Sequence, residues 1–315
     1  MSTLRKVITG TAIAGLLIST GALPAQAAPK NQARAVAQAD WLEKNLDNPK
    51  VRIIEVSTEA GLYERGHIKN SIKFNWHTDL VDTVNRDIIN AKNFSKLVQK
   101  SGISDDTTVV LYGDKNNWFA AWGAWIFNIY GQKDVRVLDG GRVKWEKDGR
   151  ALTTAVPTFS AGNFVANKAD KTLRATLIND VLPVAKKRVK ADLIDIRGAD
   201  EYNGKIFAAP GFQELAVRAG HIPGAINVPW GANVNADGTF KTVAELKKLY
   251  ADKGVDGKQN IITYCRIGER SSLTWFVLSE ILGYEVKNYD GSWTEYGNSV
   301  GVPIVNNAGT IWGAA

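Results

Sequence analysis

Cys265 is the only cysteine among the 315 residues, and its neighbours suit covalent chemistry. Arg266 and Arg270 follow it within five positions. Guanidinium groups near a thiol favour the thiolate, which is the reactive form of cysteine, so we predict a thiolate at neutral pH. The alternative is a small buried apolar side chain, which is how most free cysteines are used. Because a buried arginine needs a partner, two arginines this close to Cys265 argue against an inert apolar pocket. They favour the interpretation of Cys265 as a nucleophile.

The residues around Cys265 predict a loop between a strand and a helix. Ile261 to Tyr264 are apolar, β-branched or aromatic, which is typical of a buried parallel strand. After Ser271 the apolar residues follow a helical period, and Gly283 is placed to end that helix. In such a loop, backbone N–H groups and the positive end of the helix dipole converge on an anion. The predicted substrate-binding residues of the loop are Arg266, Ile267, Gly268, Glu269 and Arg270.

The motif Cys-Arg-x-Gly-x-Arg at Cys265, followed by Ser-Ser and an apolar helix, resembles the active-site loop of the rhodanese (thiosulfate sulfurtransferase) family. The resemblance implies that Cys265 takes the outer sulfur of thiosulfate, releases sulfite and carries a persulfide. Cyanide or a thiol then removes the sulfur, and no cofactor is needed. It also implies two packed α/β domains, of which the second is catalytic.

Three other functions stay open at this point. A mercaptopyruvate sulfurtransferase is the nearest, although in this family those enzymes typically have a largely uncharged loop of the form Cys-Gly-Ser-Gly, where this chain has Arg266 and Arg270. A non-catalytic protein that carries persulfide for a partner is the second. A phosphatase-like hydrolase is the most distant, because tyrosine phosphatases hold a tetrahedral phosphate with a longer loop than the four residues between Cys265 and Arg270.

The two halves of the chain repeat the same motifs about 150 residues apart, a period that fits two tandem domains. Short apolar strands alternate in each half with helical segments such as Ala91 to Lys100 and Val243 to Ala251. We therefore predict an α/β fold of two tandem domains, each a parallel sheet flanked by helices. The resemblance implies that both are rhodanese-like domains. The matching segments are Val51 to Ser57 with Ala191 to Arg197, Gly66-His67-Ile68 with Gly220-His221-Ile222, Val109 to Gly113 with Ile261 to Cys265, and Leu138 to Gly141 with Tyr289 to Ser292.

The repeat separates scaffold from chemistry, because the first half has Gly113 where the second has Cys265. Features found in both halves are predicted to be structural, and these include His67 with His221 and the carboxylates Glu55, Asp195, Asp139 and Asp290. Features of the second half alone are candidates for the site. They are Cys265, Arg266, Arg270, Arg197 and the insertion from Asn203 to Arg218.

Three features of the second half, Arg197, the insertion and Trp293, each have one predicted role in the site and one structural alternative. Arg197 is a substrate ligand or a strand-end salt bridge. Arg270 is expected to hold the loop carbonyls so that the N–H groups face inward. The insertion is a lid over the site or an ordinary surface loop. Trp293 walls the pocket or packs in the core, and Trp118, Trp122 and Trp125 are predicted core residues.

The N-terminus predicts export. Arg5 and Lys6 precede an apolar run, and Ala25-Gln26-Ala27 supplies a cleavage site, so residues 1–27 are predicted to be a signal peptide of a periplasmic or secreted protein. A membrane anchor is the weaker alternative, since glycines interrupt the run. The other predicted boundaries are an N-terminal domain at 30–155 that lacks the cysteine, a linker at 156–175 and a catalytic domain at 176–308.

Composition limits the partners. The formal charge of +7 falls to +5 without the signal peptide, and no long run of like charges favours nucleic acid. Three histidines and one cysteine make a metal site improbable, and one cysteine permits no internal disulfide. We expect a monomer that uses a small anionic sulfur donor and a nucleophilic acceptor, with no membrane contact after cleavage.

Overall fold

The computed structural model describes residues 32–213 and 215–313. A parallel sheet in each half of the chain forms the centre of a domain, as the repeat predicts. The predicted signal peptide at 1–27 lies outside the described residues, so export stays a prediction. Within the described ranges, no helix is long and apolar enough to span a membrane.

The first sheet has five parallel strands, and its central strands are almost wholly buried, as expected where helices cover both faces. The strands of this half are β1 Val36–Ala37, β2 Val51–Glu55, β3 Ser71–Lys73, β4 Val81–Asp82, β5 Asp87–Ile88, β6 Thr108–Tyr112 and β7 Asp134–Leu138. Their order is β1-β7-β6-β2-β3, while β4 and β5 form a separate antiparallel hairpin.

The second sheet repeats this arrangement with four parallel strands, β8 Asp192–Asp195, β9 Ile226–Asn227, β10 Ile261–Tyr264 and β11 Val286–Asn288, in the order β11-β10-β8-β9. Leu173 and Ala175 exchange backbone hydrogen bonds of 3.0 Å with Asn288. This segment therefore lies beside β11 as β1 lies beside β7. The end of the predicted linker 156–175 thus belongs to the second sheet.

The helices flank both sheets, and several begin at polar caps. Thr242 and Glu245 form a capping box at the start of the tenth helix, for example. The predicted helices at 91–100 and 243–251 are confirmed. The helices are α1 Gln32–Ala35, α2 Ala39–Lys44, α3 Leu62–Arg65, α4 Trp76–Asp79, α5 Ala91–Lys100, α6 Trp118–Ile129, α7 Gly141–Lys147, α8 Leu182–Ala185, α9 Ala199–Tyr202, α10 Val243–Ala251, α11 Glu269–Phe276 and α12 Ser292–Asn298, with 3₁₀ turns at Lys115–Asn117 and Trp230–Asn233 and π turns at Leu177–Val181 and Val277–Ile281.

The two domains share one hydrophobic core. Helices α6 and α11 follow the equivalent positions Gly113 and Cys265, and they pack against each other. Trp118, Trp122 and Trp125 are buried in the cluster that also contains Cys265, so their prediction as core residues is confirmed. The packing of equivalent helices brings the cysteine loop against the first domain.

The two histidines of the repeat serve the same turn in each domain, as predicted. The His67 ring stacks on Tyr63 at 3.8 Å, and its Nδ1 lies 2.9 Å from the Tyr63 carbonyl. The His221 ring stacks on Tyr202 at 3.7 Å, and its Nδ1 lies 2.7 Å from the Tyr202 carbonyl. Both rings are therefore engaged in local structure.

Candidate active site

Cys265 follows β10 directly, and its side chain is fully buried. The loop ends at Glu269, where α11 begins, so the sulfur lies at a helix N-terminus. The Gly268 N–H donates to Sγ at 3.1 Å. The predicted strand, loop and helix are confirmed, and the sulfur lies where backbone N–H groups can stabilise a negative charge.

The carbonyls of this loop all accept hydrogen bonds from other parts of the protein. Because each peptide is planar, a carbonyl held outward turns its N–H group towards the loop interior. The donors are the amides of Trp293 and Thr294 to Cys265 and Arg266 at 3.1 and 3.0 Å, the Arg86 guanidinium to Ile267 at 2.7 Å, and the hydroxyls of Ser271 and Ser272 to Gly268 at 2.9 and 2.8 Å. Arg86, from the first domain, thus helps to shape the catalytic loop.

Gly268 is the position where the loop depends on a glycine. Its φ is +101°, a conformation that side chains rarely adopt. A Cβ atom there would lie 2.7 Å from the Asp290 Cα and 2.7 Å from the Trp122 ring. The close approach of the two domains therefore excludes any larger residue.

Ser292 supports the sulfur from the other side. It accepts the Cys265 N–H at 3.1 Å, its Oγ lies 4.0 Å from Sγ, and it donates to the Tyr289 carbonyl at 2.7 Å. Its φ of +51° is unfavourable for a residue with a side chain, and the equivalent Gly141 of the first domain has a φ of +58°. The second domain tolerates this strain at a position where the hydroxyl contacts the cysteine.

Glu269 turns inward, and this changes the predicted state of the thiol. Its Oε2 lies 3.6 Å from the Cys265 Sγ, and the side chain is only 2% exposed. Burial, followed by the negative charge of Glu269, raises the pKa of the Cys265 thiol above its ordinary value. The prediction of a resting thiolate at neutral pH is therefore wrong for this conformation, because desolvation and a carboxylate outweigh Arg270 and the loop amides.

The sequence predicts that Arg270 holds the loop carbonyls, and the structure shows that this prediction is wrong. Its guanidinium lies 3.3 and 3.4 Å from the carboxylate of Glu201, in α9, and both side chains are buried. Its Nε is 3.9 Å from Glu269. Arg270 thus lies between two carboxylates, and the loop carbonyls are held instead by the amides, the hydroxyls and Arg86 described above.

Arg197 forms the strand-end salt bridge that the sequence left open. It donates to both oxygens of Asp195 at 3.0 and 2.6 Å and to the Gly220 carbonyl at 2.7 Å. In the first domain, Arg142 donates to Glu55 at 2.9 and 3.0 Å and to the Gly66 carbonyl at 2.6 Å. The interaction is therefore common to both domains, although the arginine comes from different positions of the repeat.

The insertion from Asn203 to Arg218 contacts the loop through Phe212 and Gln213. Arg266 donates to the Gln213 carbonyl at 2.7 Å. The Phe212 ring lies 5.5 Å from the Arg266 guanidinium and 5.7 Å from that of Arg270, within the range of a cation–π contact. These contacts favour the lid over the surface-loop interpretation.

Trp293 packs in the core of the second domain. It is fully buried, and its indole N–H donates to the Arg218 carbonyl at 2.9 Å. Asp290, beside it, binds Arg174 at 2.8 and 3.0 Å and lies 3.6 Å from Arg86. An interdomain cavity of about 370 Å³ borders this network and the residue Ile267 of the loop.

The equivalent loop of the first domain has no room for such a site. A Cβ atom at Gly113 would lie 2.3 Å from the Val56 carbonyl oxygen. The Gly113 N–H donates to the Asn117 side chain at 3.0 Å. In the first domain, the Val56 carbonyl thus occupies the space that a side chain at position 113 would need, and the Asn117 side chain binds the Gly113 amide.

The sequence did not predict a role in the site for three of the supporting residues, Ser292, Glu201 and Arg86. Ser292 could have been found, because it replaces a glycine at an equivalent position of the repeat. Glu201 and Arg86 are far from Cys265 in the chain, and no motif connects them to it. Only the packing of the domains brings them to the site.

Comparison with known proteins supports the same type of site. The family model described as "Rhodanese-like domain" matches residues 38–148 and 182–299. A Mycobacterium tuberculosis H37Rv protein named "Putative thiosulfate sulfurtransferase" is 53% identical over 271 residues, which cover 85% of this chain and 96% of that protein. The "Sulfur carrier protein TtuD" of Thermus thermophilus is 50% identical over 273 residues, which cover 85% of this chain and 95% of that protein.

A solved structure also shares the architecture. The structure of SseA from Escherichia coli, described as showing the fold and mechanism of 3-mercaptopyruvate sulfotransferases, superposes with a TM-score of 0.70 at 27% identity. The match covers 82% of this chain and 98% of that chain.

Replacing Arg197 tests its structural role. We expect Arg197→Ala to lower the free energy of unfolding by about 3–5 kcal/mol, because it leaves the Asp195 carboxylate buried without its partner. Arg142→Ala is the matched control, since it removes the equivalent partner of Glu55 and should cost a similar amount. Urea unfolding of both variants measures this. A stable Arg197→Ala protein with weakened donor binding would show instead that Arg197 is a substrate ligand.

Replacing Phe212 tests the lid. Loss of its two cation–π contacts, each about 0.5–1 kcal/mol, should raise the open population and speed iodoacetamide labelling of Cys265 by roughly fivefold to thirtyfold. Val217→Ala, at an exposed position of the same insertion, is the control and should label like the wild type. Equal labelling rates in the wild type and Phe212→Ala would argue that the insertion does not gate the cysteine.

Proposed function

The chain belongs to the rhodanese family, and from that premise we propose that it transfers the outer sulfur of thiosulfate to cyanide or a thiol through a persulfide on Cys265. Sulfurtransferase chemistry is the function that the family match and the relatives support together. The observation that carries the proposal is the position of Sγ inside a loop whose carbonyls all point away from it.

The proposed cycle has two steps on one sulfur atom. The Cys265 thiolate attacks the outer sulfur of thiosulfate, and the sulfur–sulfur bond of the donor breaks with its electron pair leaving on sulfite. The persulfide then holds the transferred sulfur near the Gly268 N–H until a nucleophile attacks its outer atom. Cysteine regains its electron pair in that second step, so the cycle needs no cofactor.

The loop can also bind the anionic part of the donor. Among the described residues, the amides of Arg266 and Ile267 have no hydrogen-bond partner, so both can donate to a bound anion. Arg270 is occupied by Glu201, which leaves Arg266 as the arginine of the loop that a donor meets after the lid opens. Thiosulfate is a dianion and gains more from this charge than mercaptopyruvate, which carries a single carboxylate.

A sulfur carrier is the second candidate, and the identity to the Thermus thermophilus carrier protein supports it. A carrier and an enzyme share the persulfide but differ in turnover. Steady-state release of thiocyanate from thiosulfate and cyanide at many cycles per protein would favour the enzyme. A single loading per protein, discharged only by a partner protein, would favour the carrier.

Treating the protein with thiosulfate should add the mass of one sulfur atom, which cyanide then removes. Cys265→Ser should show neither the mass gain nor thiocyanate formation, because a hydroxyl cannot form a persulfide. Intact mass spectrometry measures the first and a thiocyanate assay the second. Transfer by Cys265→Ser above the rate in buffer alone would show that the nucleophile is wrong.

Arg266→Gly tests the preferred donor. A charge-assisted contact is worth about 1.5–3 kcal/mol, so the variant should lose roughly tenfold to a hundredfold in kcat/KM for thiosulfate and much less for mercaptopyruvate. Lys258→Gly, which removes an exposed cation, controls for the change in net charge. A wild-type preference for mercaptopyruvate, or an equal loss with both donors, would contradict the charge argument.

A further inference from the structure

We propose that Glu269 accepts the proton of Cys265 and returns it at the end of the cycle, an inference that rests on the sulfur transfer proposed above. The thiol and the carboxylate are in contact, with 3.6 Å between Sγ and Oε2. Both side chains are buried, at 0% and 2% exposure. A thiol in this position cannot lose its proton directly to water while the lid is closed.

The other groups that contact the sulfur cannot take this proton. The Gly268 N–H is a donor, and the Ser292 hydroxyl uses its own hydrogen on the Tyr289 carbonyl. His67 and His221 are held in their turns by Tyr63 and Tyr202. Within the part of the chain that the structure describes, Glu269 is the one base in contact with Sγ.

The charges around Cys265 and Glu269 favour transfer of the thiol proton to the carboxylate over its loss from both groups. Arg270 lies between Glu269 and Glu201, so one cation faces two carboxylates before the thiol ionises. The remaining charged groups are at the edges of the loop. Arg266 contacts the lid, and Asp290 is paired with Arg174 and Arg86. A third negative charge on Sγ is therefore costly, and it is avoided when the proton moves to Glu269.

The transfer balances over the cycle. The proton moves from Sγ to Oε2, and the thiolate attacks the outer sulfur of thiosulfate to give an anionic persulfide, sulfite and neutral Glu269. An anionic acceptor, cyanide or a thiolate, then attacks the outer sulfur of the persulfide. Sγ leaves with the electron pair of the sulfur–sulfur bond and takes the proton back from Glu269, which restores the starting state.

The test uses the reactivity of the single thiol, so every label reports Cys265. We would measure the rate of iodoacetamide labelling by intact mass between about pH 6 and pH 8, a range that lies between the ordinary pKa values of carboxyl and thiol groups. Transfer of the thiol proton to Glu269 leaves the number of protons on the two side chains unchanged, so a wild-type rate that depends on this transfer should be almost independent of pH. In Glu269→Gln the proton must go to water, so the rate should rise about tenfold per pH unit as long as the thiol is mostly protonated.

Glu269→Asp is the second variant and keeps the charge. Its carboxylate is one methylene shorter and lies further from the sulfur, so its rate should rise with pH while the wild-type rate stays flat. A purely electrostatic role would make the rates of the wild type and of Glu269→Asp rise together. A Glu269→Gln or Glu269→Asp protein with a flat profile like the wild type would overturn the proposal. A wild-type rate that rises tenfold per pH unit would do the same.

The labelling experiment contains no sulfur donor, which separates this inference from the proposed function. A flat wild-type profile and steep variants, together with no mass gain from thiosulfate, would support the proton transfer and reject the donor. A mass gain from thiosulfate together with a steep wild-type labelling profile would support the proposed donor and reject the proton transfer.

Discussion

The outward hydrogen bonding of the loop carbonyls from Cys265 to Gly268 is the constraint on which the site depends. A free loop of this length would present carbonyl oxygens and N–H groups in both directions, and an anion would gain little from it. Here α12, the hairpin of β4 and β5, and the start of α11 each bind part of the loop from outside. The inner surface is therefore made of donors, and the cost of ordering it was met when the protein folded.

The contacts of the first domain with the cysteine loop explain why a chain with one cysteine has two copies of the fold. Arg86 binds a loop carbonyl, and Trp122 fixes the space available at Gly268. The contacts across the interface also come in equivalent pairs. Asp139 accepts the Phe240 N–H at 2.8 Å, while its counterpart Asp290 lies 3.6 Å from Arg86 of the first domain. The copy without a cysteine has become a structural support for the other copy.

The sequence was sufficient for the fold and for the strand, loop and helix around Cys265, but not for the direction of charged side chains. Alternating strands and helices and the repeated motifs depend on local patterns, which the chain displays directly. Glu269 is different, because whether it turns in or out depends on Glu201 holding Arg270, and α9 is far from the loop in sequence. Arg197 shows a related limit. Alignment of the repeat compares positions, whereas Arg142 reaches the same carboxylate site from α7.

The burial of Cys265 in the shared core has a consequence for the loaded protein. A persulfide places an extra sulfur atom, larger than a methylene group, in an interior that is already close-packed. Overpacking of this kind costs about 1–3 kcal/mol unless neighbouring groups move. The sheets and α11 are surrounded by buried side chains, so the insertion around Phe212 is the segment that can move. In the proposed cycle, sulfur loading should thus push this insertion outward.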